Sequence, residues 1–220
     1  YNLAVAYEKV GQVDKAIEAY KASITRHNDN TLAYTNLGTI YHKQGLYDMA
    51  IEAYKQALTN NPYFPLSHNN LGNTYERIGD SEKALAEYRE ALKIDDTYAD
   101  AHNNLGAVYL KKGIQDKALV EFQKAAQLNP DHRDAHYNLG IAYAGKGLYV
   151  EAIHELNLAI KYNPTDYSAY RDLGILYFTY KKDIKKSLYY LHESLRLTHD
   201  PVETEKVKEM INVIKKGHVF

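Results

Sequence analysis

The 220-residue sequence contains no cysteine. Disulfide bonds, thiolate metal sites and a cysteine nucleophile are therefore excluded, while the compartment stays open, with the cytoplasm slightly favoured. The sequence also lacks an excess of charge of either sign, because 27 basic residues stand against 28 acidic ones and give a net charge of −1. A nearly neutral chain has no general attraction for phosphate backbones or anionic lipids. We therefore expect neither nucleic acid nor a membrane surface as a partner.

Long apolar runs are missing too. No stretch approaches the roughly 18 apolar residues of a membrane span, so we expect no membrane insertion. The first ten residues, YNLAVAYEKV, contain neither an initiator methionine nor the basic front of a signal peptide, and we expect the native chain to begin upstream. The sequence does contain 45% hydrophobic and 12% aromatic residues, which is enough apolar material to bury a core.

A period of 34 residues organises the sequence. When the chain is laid against itself at this step, one tyrosine and one leucine recur six times each, and a glycine or alanine follows each leucine. The recurring residues are Tyr7, Tyr41, Tyr75, Tyr109, Tyr143 and Tyr177, with Leu3, Leu37, Leu71, Leu105, Leu139 and Leu173. Repetition at this period indicates a repeat architecture, in which each unit buries its core against its neighbours.

The pattern within one period predicts two antiparallel helices. Two helices approach closely only where bulky side chains are absent, so Gly38 on the first helix and Ala50 and Ala57 on the second are the predicted contact points. Glycines such as Gly45 are expected to end the first helix, and prolines such as Pro62 to end the second.

These residues resemble the tetratricopeptide repeat (TPR) family. The family pattern W-x2-L-G-x2-Y…A-x3-F…A…P is matched by Tyr34, Leu37, Gly38, Tyr41, Ala50, Tyr54, Ala57 and Pro62. Departures are few, since Asp96 replaces one proline and tyrosine or histidine takes the tryptophan position, at Tyr34, His68, His102, His136 and Tyr170. The resemblance implies an all-α fold, a right-handed α-solenoid (superhelix) of antiparallel helix pairs.

The resemblance covers about residues 1–201. It divides them into a truncated first unit, 1–30, and five full units, 31–64, 65–98, 99–132, 133–166 and 167–201. In the last unit Lys181 replaces the turn glycine and one extra residue is present, so we expect an irregular hairpin there. Residues 202–220 are predicted to form a C-terminal capping helix on the final unit. Their apolar stripe consists of Val207, Met210, Ile211 and Ile214.

A polar stripe follows the side of each first helix that faces away from the second helix. A helix advances about 100° per residue, so Asn36 and Lys43 lie almost opposite the packing side that carries Tyr41. One asparagine recurs in this stripe and an aspartate takes its place in the last unit: Asn2, Asn36, Asn70, Asn104, Asn138 and Asp172. The stripe and its surroundings also contain Lys43, Asn73, Arg77, Lys111 and Tyr137. The resemblance implies that these residues line the concave wall of the superhelix.

A column of asparagines suits an extended peptide, because each amide offers a donor and an acceptor to backbone N–H and C=O groups. It is similar to the asparagine ladder of the O-linked N-acetylglucosamine transferase superhelix. The alternative is that the asparagines only bridge neighbouring first helices. Repeats that bind the acidic C-terminus of large heat-shock chaperones carry lysine or arginine on the inner wall. This chain has Thr35, Asp100 and Asn104, or Asn69, Asp134 and Asn138, in their place, so that specificity is not expected.

The histidines fit the repeat rather than a separate site. His68, His102 and His136 occupy the tryptophan position and are predicted to be aromatics at the edge of the core, and His132 lies in the loop before the helix of His136. The KKDIKK stretch near the C-terminus indicates a solvated face. No phosphate loop, nucleophile elbow or paired-carboxylate motif stands apart from the repeats. We therefore predict no metal site, no cofactor and no enzymatic activity.

The leading hypothesis is a protein–protein interaction module, which binds an extended peptide or a partner helix in its concave groove and acts as a scaffold or adaptor in complex assembly. Two alternatives stay open. The chain is the substrate-recognition arm of a larger enzyme, such as a glycosyltransferase, or it is a scaffold that forms homo-oligomers through its open first unit.

Overall fold

The computed structural model describes residues 1–26 and 30–217, and within these ranges the regular structure is entirely helical. The helices are α1 Asn2–Lys9, α2 Val13–Arg26, α3 Thr31–Lys43, α4 Tyr47–Asn60, α5 Pro65–Arg77, α6 Ser81–Ile94, α7 Ala99–Lys111, α8 Gln115–Leu128, α9 Arg133–Gly145, α10 Tyr149–Tyr162, α11 Tyr167–Thr179, α12 Ile184–Leu197 and α13 Pro201–Lys215. The predicted all-α fold class is confirmed. Residues 27–29 of the predicted first unit and 218–220 of the predicted capping helix lie outside the described residues.

The helices group into two compact units, Tyr1–Val108 and Tyr109–Phe220, whose boundary falls within α7. In the first unit, each helix from α1 to α5 packs against the helix that follows it. In the second unit, each helix from α8 to α12 does the same. None of the described helices is both long enough and apolar enough to cross a membrane.

The two helices of a hairpin approach closely at a glycine, as the small residues predicted. The space next to the glycine is filled by a large side chain of the second helix. A Cβ atom on Gly38 would lie 2.7 Å from Cε1 of Tyr54, and one on Gly140 would lie 2.8 Å from Cγ of Leu156. Ala50 is fully buried beside this contact. The glycine therefore makes room for an aromatic or leucine side chain, which a pattern of small residues alone does not indicate.

Most first helices end at a glycine in the left-handed region, where a side chain would be strained. Gly45 has a φ of 75° and Gly79 a φ of 83°. The last hairpin differs, because Lys182 adopts the left-handed conformation with a φ of 54°. Lys181 is the residue that corresponds to the turn glycine in the sequence. Because this turn contains one extra residue, the left-handed conformation falls on the next residue, Lys182. Asp183 is the N-cap of α12, and its side chain accepts a hydrogen bond from the backbone N–H of Lys186.

Helix α13 packs against α12 and closes the core of the second unit at that end. Val207, Ile211 and Ile214 are buried together with Leu191 of α12, and Met210 packs beside them. The four residues that α13 contributes, Val207, Met210, Ile211 and Ile214, are the apolar stripe that the sequence contains at helical spacing.

Candidate functional site

The residues predicted to bind a partner lie on the first helices of the hairpins. Asn2, Lys43, Arg77 and Lys111 are exposed, whereas Asn36, Asn70, Asn73, Asn104, Asn138, Tyr137 and Asp172 are half-buried. Lys43 is 3.8 Å from the carboxylate of Glu8, so part of its charge is offset within the chain. Six of these residues lie on the polar stripe of α3, α5 and α7 within the first unit, which ends at Val108: Asn36, Lys43, Asn70, Asn73, Arg77 and Asn104.

The amide of Asn36 is bound to the preceding hairpin. Its Nδ2 donates to the hydroxyl of Tyr20 at 3.1 Å and to that of Tyr1 at 3.2 Å. Tyr20 is buried, and its hydroxyl donates in turn to Glu8 Oε2 at 3.0 Å. Burial first, and then the hydrogen bond to Glu8, raise the pKa of Tyr20 far above its usual value, so this phenol stays protonated.

The next two asparagines of the stripe also point back along the array. Nδ2 of Asn104 donates to Oδ1 of Asn69 at 2.9 Å, and Nδ2 of Asn69 lies 3.5 Å from Oδ1 of Asn70. Nδ2 of Asn70 then donates to Oγ1 of Thr39 at 3.4 Å. We call these residues the amide chain. It shows that the asparagines do bridge neighbouring first helices, through one end of each amide.

A pocket of about 350 Å³ lies beside the amide chain in the first unit. It brings together three of the predicted residues, Asn73, Arg77 and Asn104. His42, Glu76, Tyr88, Ala107 and Val108 complete its lining. We call it the stripe pocket.

Hydrogen bonds fix the orientation of the two amides in the stripe pocket. The hydroxyl of buried Tyr88 donates to Oδ1 of Asn73 at 2.7 Å. Among the described residues, nothing accepts from Nδ2 of Asn73 and nothing donates to Oδ1 of Asn104. Arg77 uses Nε to reach the hydroxyl of Tyr47 at 3.3 Å, and within the described chain its terminal nitrogens make no hydrogen bond or ion pair.

The charge of the stripe pocket comes from Arg77 and Glu76. Burial, with the nearby positive charge of Arg77, lowers the pKa of His42, so this imidazole is neutral and meets the hydroxyl of Thr74 at 2.9 Å. Burial and the carboxylate of Glu76 raise the pKa of Tyr88, so its hydroxyl remains a donor. The pocket therefore offers open donors, an open acceptor and one charge of each sign.

The predicted residues of the second unit are held in an internal network. The hydroxyl of Tyr137 donates to Oδ2 of Asp172 at 3.0 Å, and Nε of Arg171 donates to Oδ1 at 2.9 Å. Nη1 of Arg171 reaches Glu203 of α13 at 2.8 Å. Burial, reinforced by the charge of Asp172, raises the pKa of Tyr137. Tyr137 and Asp172 thus take part in a network that joins α9, α11 and α13.

The histidines at the tryptophan position pack between the two helices of their hairpins. In His136, Nδ1 is 2.6 Å from Oε2 of Glu155 and Nε2 is 2.8 Å from the carbonyl oxygen of Pro130. Both neighbours only accept hydrogen bonds, so the ring donates to both of them when it is a protonated imidazolium. The Glu155 hydrogen bond, which outweighs burial, accordingly raises the pKa of His136. Across the described residues, no group of three or more histidine and acidic side chains is arranged to hold a metal.

Three polar residues of the stripe pocket, His42, Glu76 and Tyr88, were not among the predicted site residues. Tyr88 is the counterpart of Tyr54 in the repeat pattern, and a tyrosine carries a hydroxyl that must find a partner when it is buried. The signal was present in the repeats. In two of the three hairpins with tyrosine at this position a polar residue lies fifteen positions earlier, Thr39 before Tyr54 and Asn73 before Tyr88, whereas Val5 precedes Tyr20 and Ala107 precedes Phe122.

Comparison with known proteins agrees with the repeats seen in the sequence and in the helix pairs. Family models described as "TPR repeat" match residues 6–45 and 78–113, and models described as "Tetratricopeptide repeat" match residues 31–64, 99–132, 116–174 and 53–86. Together these matches run without a gap from residue 6 to residue 174. A comparison with curated proteins finds no match.

Several solved structures are similar in fold. YrrB, described as a TPR protein with an unusual peptide-binding site, is 22% identical, with a TM-score of 0.65 over 88% of this chain and 99% of YrrB. MamA is 28% identical, with a TM-score of 0.62 over 79% of this chain and 97% of MamA. A chain of the APC/C hetero-tetramer Cut9–Hcn1 is 22% identical, with a TM-score of 0.85 over 95% of this chain and 41% of that one.

Proposed function

The chain belongs to the tetratricopeptide repeat family, and from this premise we propose that it is a non-catalytic module that binds an extended segment of a partner protein. The segment lies along the polar stripe of α3, α5 and α7, with the stripe pocket as the centre of the contact. The module serves as a scaffold or adaptor in the assembly of a complex.

One observation carries this proposal. In the stripe pocket, the amide of Asn73 has an open donor and the amide of Asn104 has an open acceptor, each fixed by a hydrogen bond at its other end. An extended backbone presents N–H and C=O groups in alternation and matches this pair whatever its side chains are. Because the two amides are already oriented, binding loses less side-chain entropy than it would with mobile amides. The terminal nitrogens of Arg77 add donors for a second carbonyl group.

Two structural neighbours support the proposal by analogy. YrrB is described as having a peptide-binding site, and Cut9 is found in a hetero-tetramer with Hcn1. Both neighbours are less than 25% identical to this chain, so their own partners do not indicate which partner this chain binds.

Selection from a random library of 12-residue peptides, followed by affinity measurements on variants, tests the proposal. Asn73→Asp keeps the acceptor for Tyr88 and removes the open donor, and Asn104→Leu removes the open acceptor. We expect each variant to bind the selected peptides about fivefold more weakly, since a hydrogen bond is worth on the order of 1 kcal/mol. Asn212→Asp, on the exposed surface of α13, is the matched control. Equal affinity of the native chain and both pocket variants would contradict the proposal.

A further inference from the structure

Three hairpins close the space between the tryptophan position of the first helix and the facing part of the second helix. In α5–α6, His68 meets Glu87 with Nδ1 2.7 Å from Oε2. In α9–α10, His136 meets Glu155 in the same way. In α11–α12, where the extra residue shifts the register, Tyr190 takes the glutamate position, with its ring centroid 6.3 Å from that of Tyr170.

In two of these hairpins, α5–α6 and α11–α12, a lysine covers the recurring tyrosine next to this contact. Nζ of Lys83 lies 5.3 Å above the ring of Tyr75, and Nζ of Lys186 lies 5.2 Å above the ring of Tyr177. A cation over an aromatic face is attracted to it and also shields the ring from water.

Hairpin α3–α4 has neither a glutamate that faces the tryptophan position nor a lysine at the position of Lys83. The residue that corresponds to Glu87 is Ala53, and the residue that corresponds to Lys83 is Met49. Because Ala53 is too short to reach Tyr34, a cleft of about 380 Å³ opens between the two helices, lined by Tyr34, Leu37, Tyr41, Met49 and Ala53. Met49 is 45% exposed. We call this opening the Met49 cleft.

The rim of the Met49 cleft is acidic. Asp48 and Glu52 line it from one side of α4, and Nε2 of Gln56 donates to Oε1 of Glu52 at 2.8 Å. Among the described residues that line the cleft, none is basic. An apolar floor beside two carboxylates is complementary to an apolar side chain with a lysine or arginine next to it.

We infer that the Met49 cleft is a second docking surface, which takes leucine-like side chains of a partner segment flanked by basic residues. Its volume lies within the range of about 300 to 1,000 Å³ found for ligand pockets. Tyr34 and Lys43 are nine residues apart on α3 and therefore point to opposite sides of the helix. The cleft is thus separate from the polar stripe and does not depend on the function proposed for it.

Methyl NMR of the two methionines measures this binding directly. The chain contains only Met49, in the cleft, and Met210, which packs on the core of the second unit and serves as the internal control. The probes are two capped peptides, one with the core Lys-Leu-Leu-Lys and one with the core Glu-Leu-Leu-Glu. We expect the basic peptide to shift the Met49 methyl signal with saturation and to leave Met210 unchanged. The acidic peptide should bind about tenfold more weakly.

Two variants separate the cleft from other surfaces. Tyr34→His with Ala53→Glu rebuilds the pair found in α5–α6 and should weaken the basic peptide about tenfold, the factor expected when burial of one apolar side chain is lost. Asp48→Lys with Glu52→Lys changes only exposed residues, so it should fold normally and bind the acidic peptide better than the basic one.

The proposal would be overturned by a Met49 signal that does not move with the basic peptide up to about 2 mM, the limit of weak specific binding. Equal responses to both peptides would also overturn it. So would a Met49 shift that depends on protein concentration without peptide, because the occupant would then be a second copy. Asn73→Asp in the stripe pocket should leave the Met49 titration unchanged. Failure of the proposal for the stripe pocket can therefore be distinguished from failure of the proposal for the Met49 cleft.

Discussion

Replacement of Gly72 by alanine tests whether the close approach of the helices also supports the stripe pocket. A Cβ atom at this position would lie 2.6 Å from Cε1 and 2.8 Å from Cδ1 of Tyr88, well inside contact distance. The ring has little freedom to move away, because Tyr88 is buried and its hydroxyl is held by Asn73 at 2.7 Å. The added methyl group must therefore displace the ring, the helix or both.

Two opposing effects determine how much Gly72→Ala changes the free energy of unfolding. Overpacking of a core by one methyl group costs about 1 to 3 kcal/mol. Alanine is also the better helix former and returns up to about 1 kcal/mol relative to glycine. We therefore expect Gly72→Ala to lower the free energy of unfolding by about 1 to 2 kcal/mol and to weaken binding in the stripe pocket, since movement of the ring breaks its bond to Asn73.

Urea unfolding followed by circular dichroism measures the first effect. Gly145→Ala is the matched control, because it is also helical and a Cβ atom there meets nothing closer than Nε2 of Gln115 at 3.6 Å. We expect this control to be neutral or to stabilise the chain by up to about 1 kcal/mol. If the two alanine variants changed stability alike, the close approach would not constrain the core, and the reasoning would be refuted.

Three further predictions concern the second unit. The raised pKa of His136 means that its contact with Glu155 stabilises the fold fully below the unfolded pKa of about 6.5 and is lost as pH rises through the folded pKa. The loss of stability caused by Glu155→Gln should therefore shrink between pH 6 and pH 9 in urea titrations, and a constant difference would contradict the ion pair. Ile211→Ala should cost about 2 to 5 kcal/mol, whereas Val202→Ala, at an exposed position of the same helix, should change thermal unfolding little. Asp183→Ala removes the N-cap of α12 and should cost about 1 kcal/mol, with an Asp183→Ser variant close to the native melting temperature.

The period of the sequence predicts much of the fold, because each helix pair obeys the same packing rule. The helix bounds near Gly45 and Pro62 and the burial of Val207, Ile211 and Ile214 follow from spacing alone. The alignment of repeats gives the average hairpin, however, and functional surfaces arise where one hairpin departs from that average. Ala53 is such a departure, and its meaning depends on knowing that Glu87 spans the space in the next hairpin.

The candidate site could be predicted only in part. The sequence places Asn73, Arg77 and Asn104 on first helices, and the structure brings them to one pocket. It could not give the partners of Asn36, since its hydrogen bonds to Tyr1 and Tyr20 depend on the tilt between successive hairpins. Spacing within one helix does not determine that tilt.

The amide chain has a consequence for anything that crosses it. Asn104 donates to Asn69 on the preceding first helix, and Asn70, next to Asn69, donates to Thr39 on the first helix before that one. Reversal of the Asn69 amide would break its bonds to both Asn104 and Asn70, and reversal of the Asn104 amide would break its bond to Asn69, so these amides keep one orientation and polarise one another. A strand lying over this row meets donors and acceptors in a fixed order, and its two possible orientations, N-to-C or C-to-N, are not equivalent.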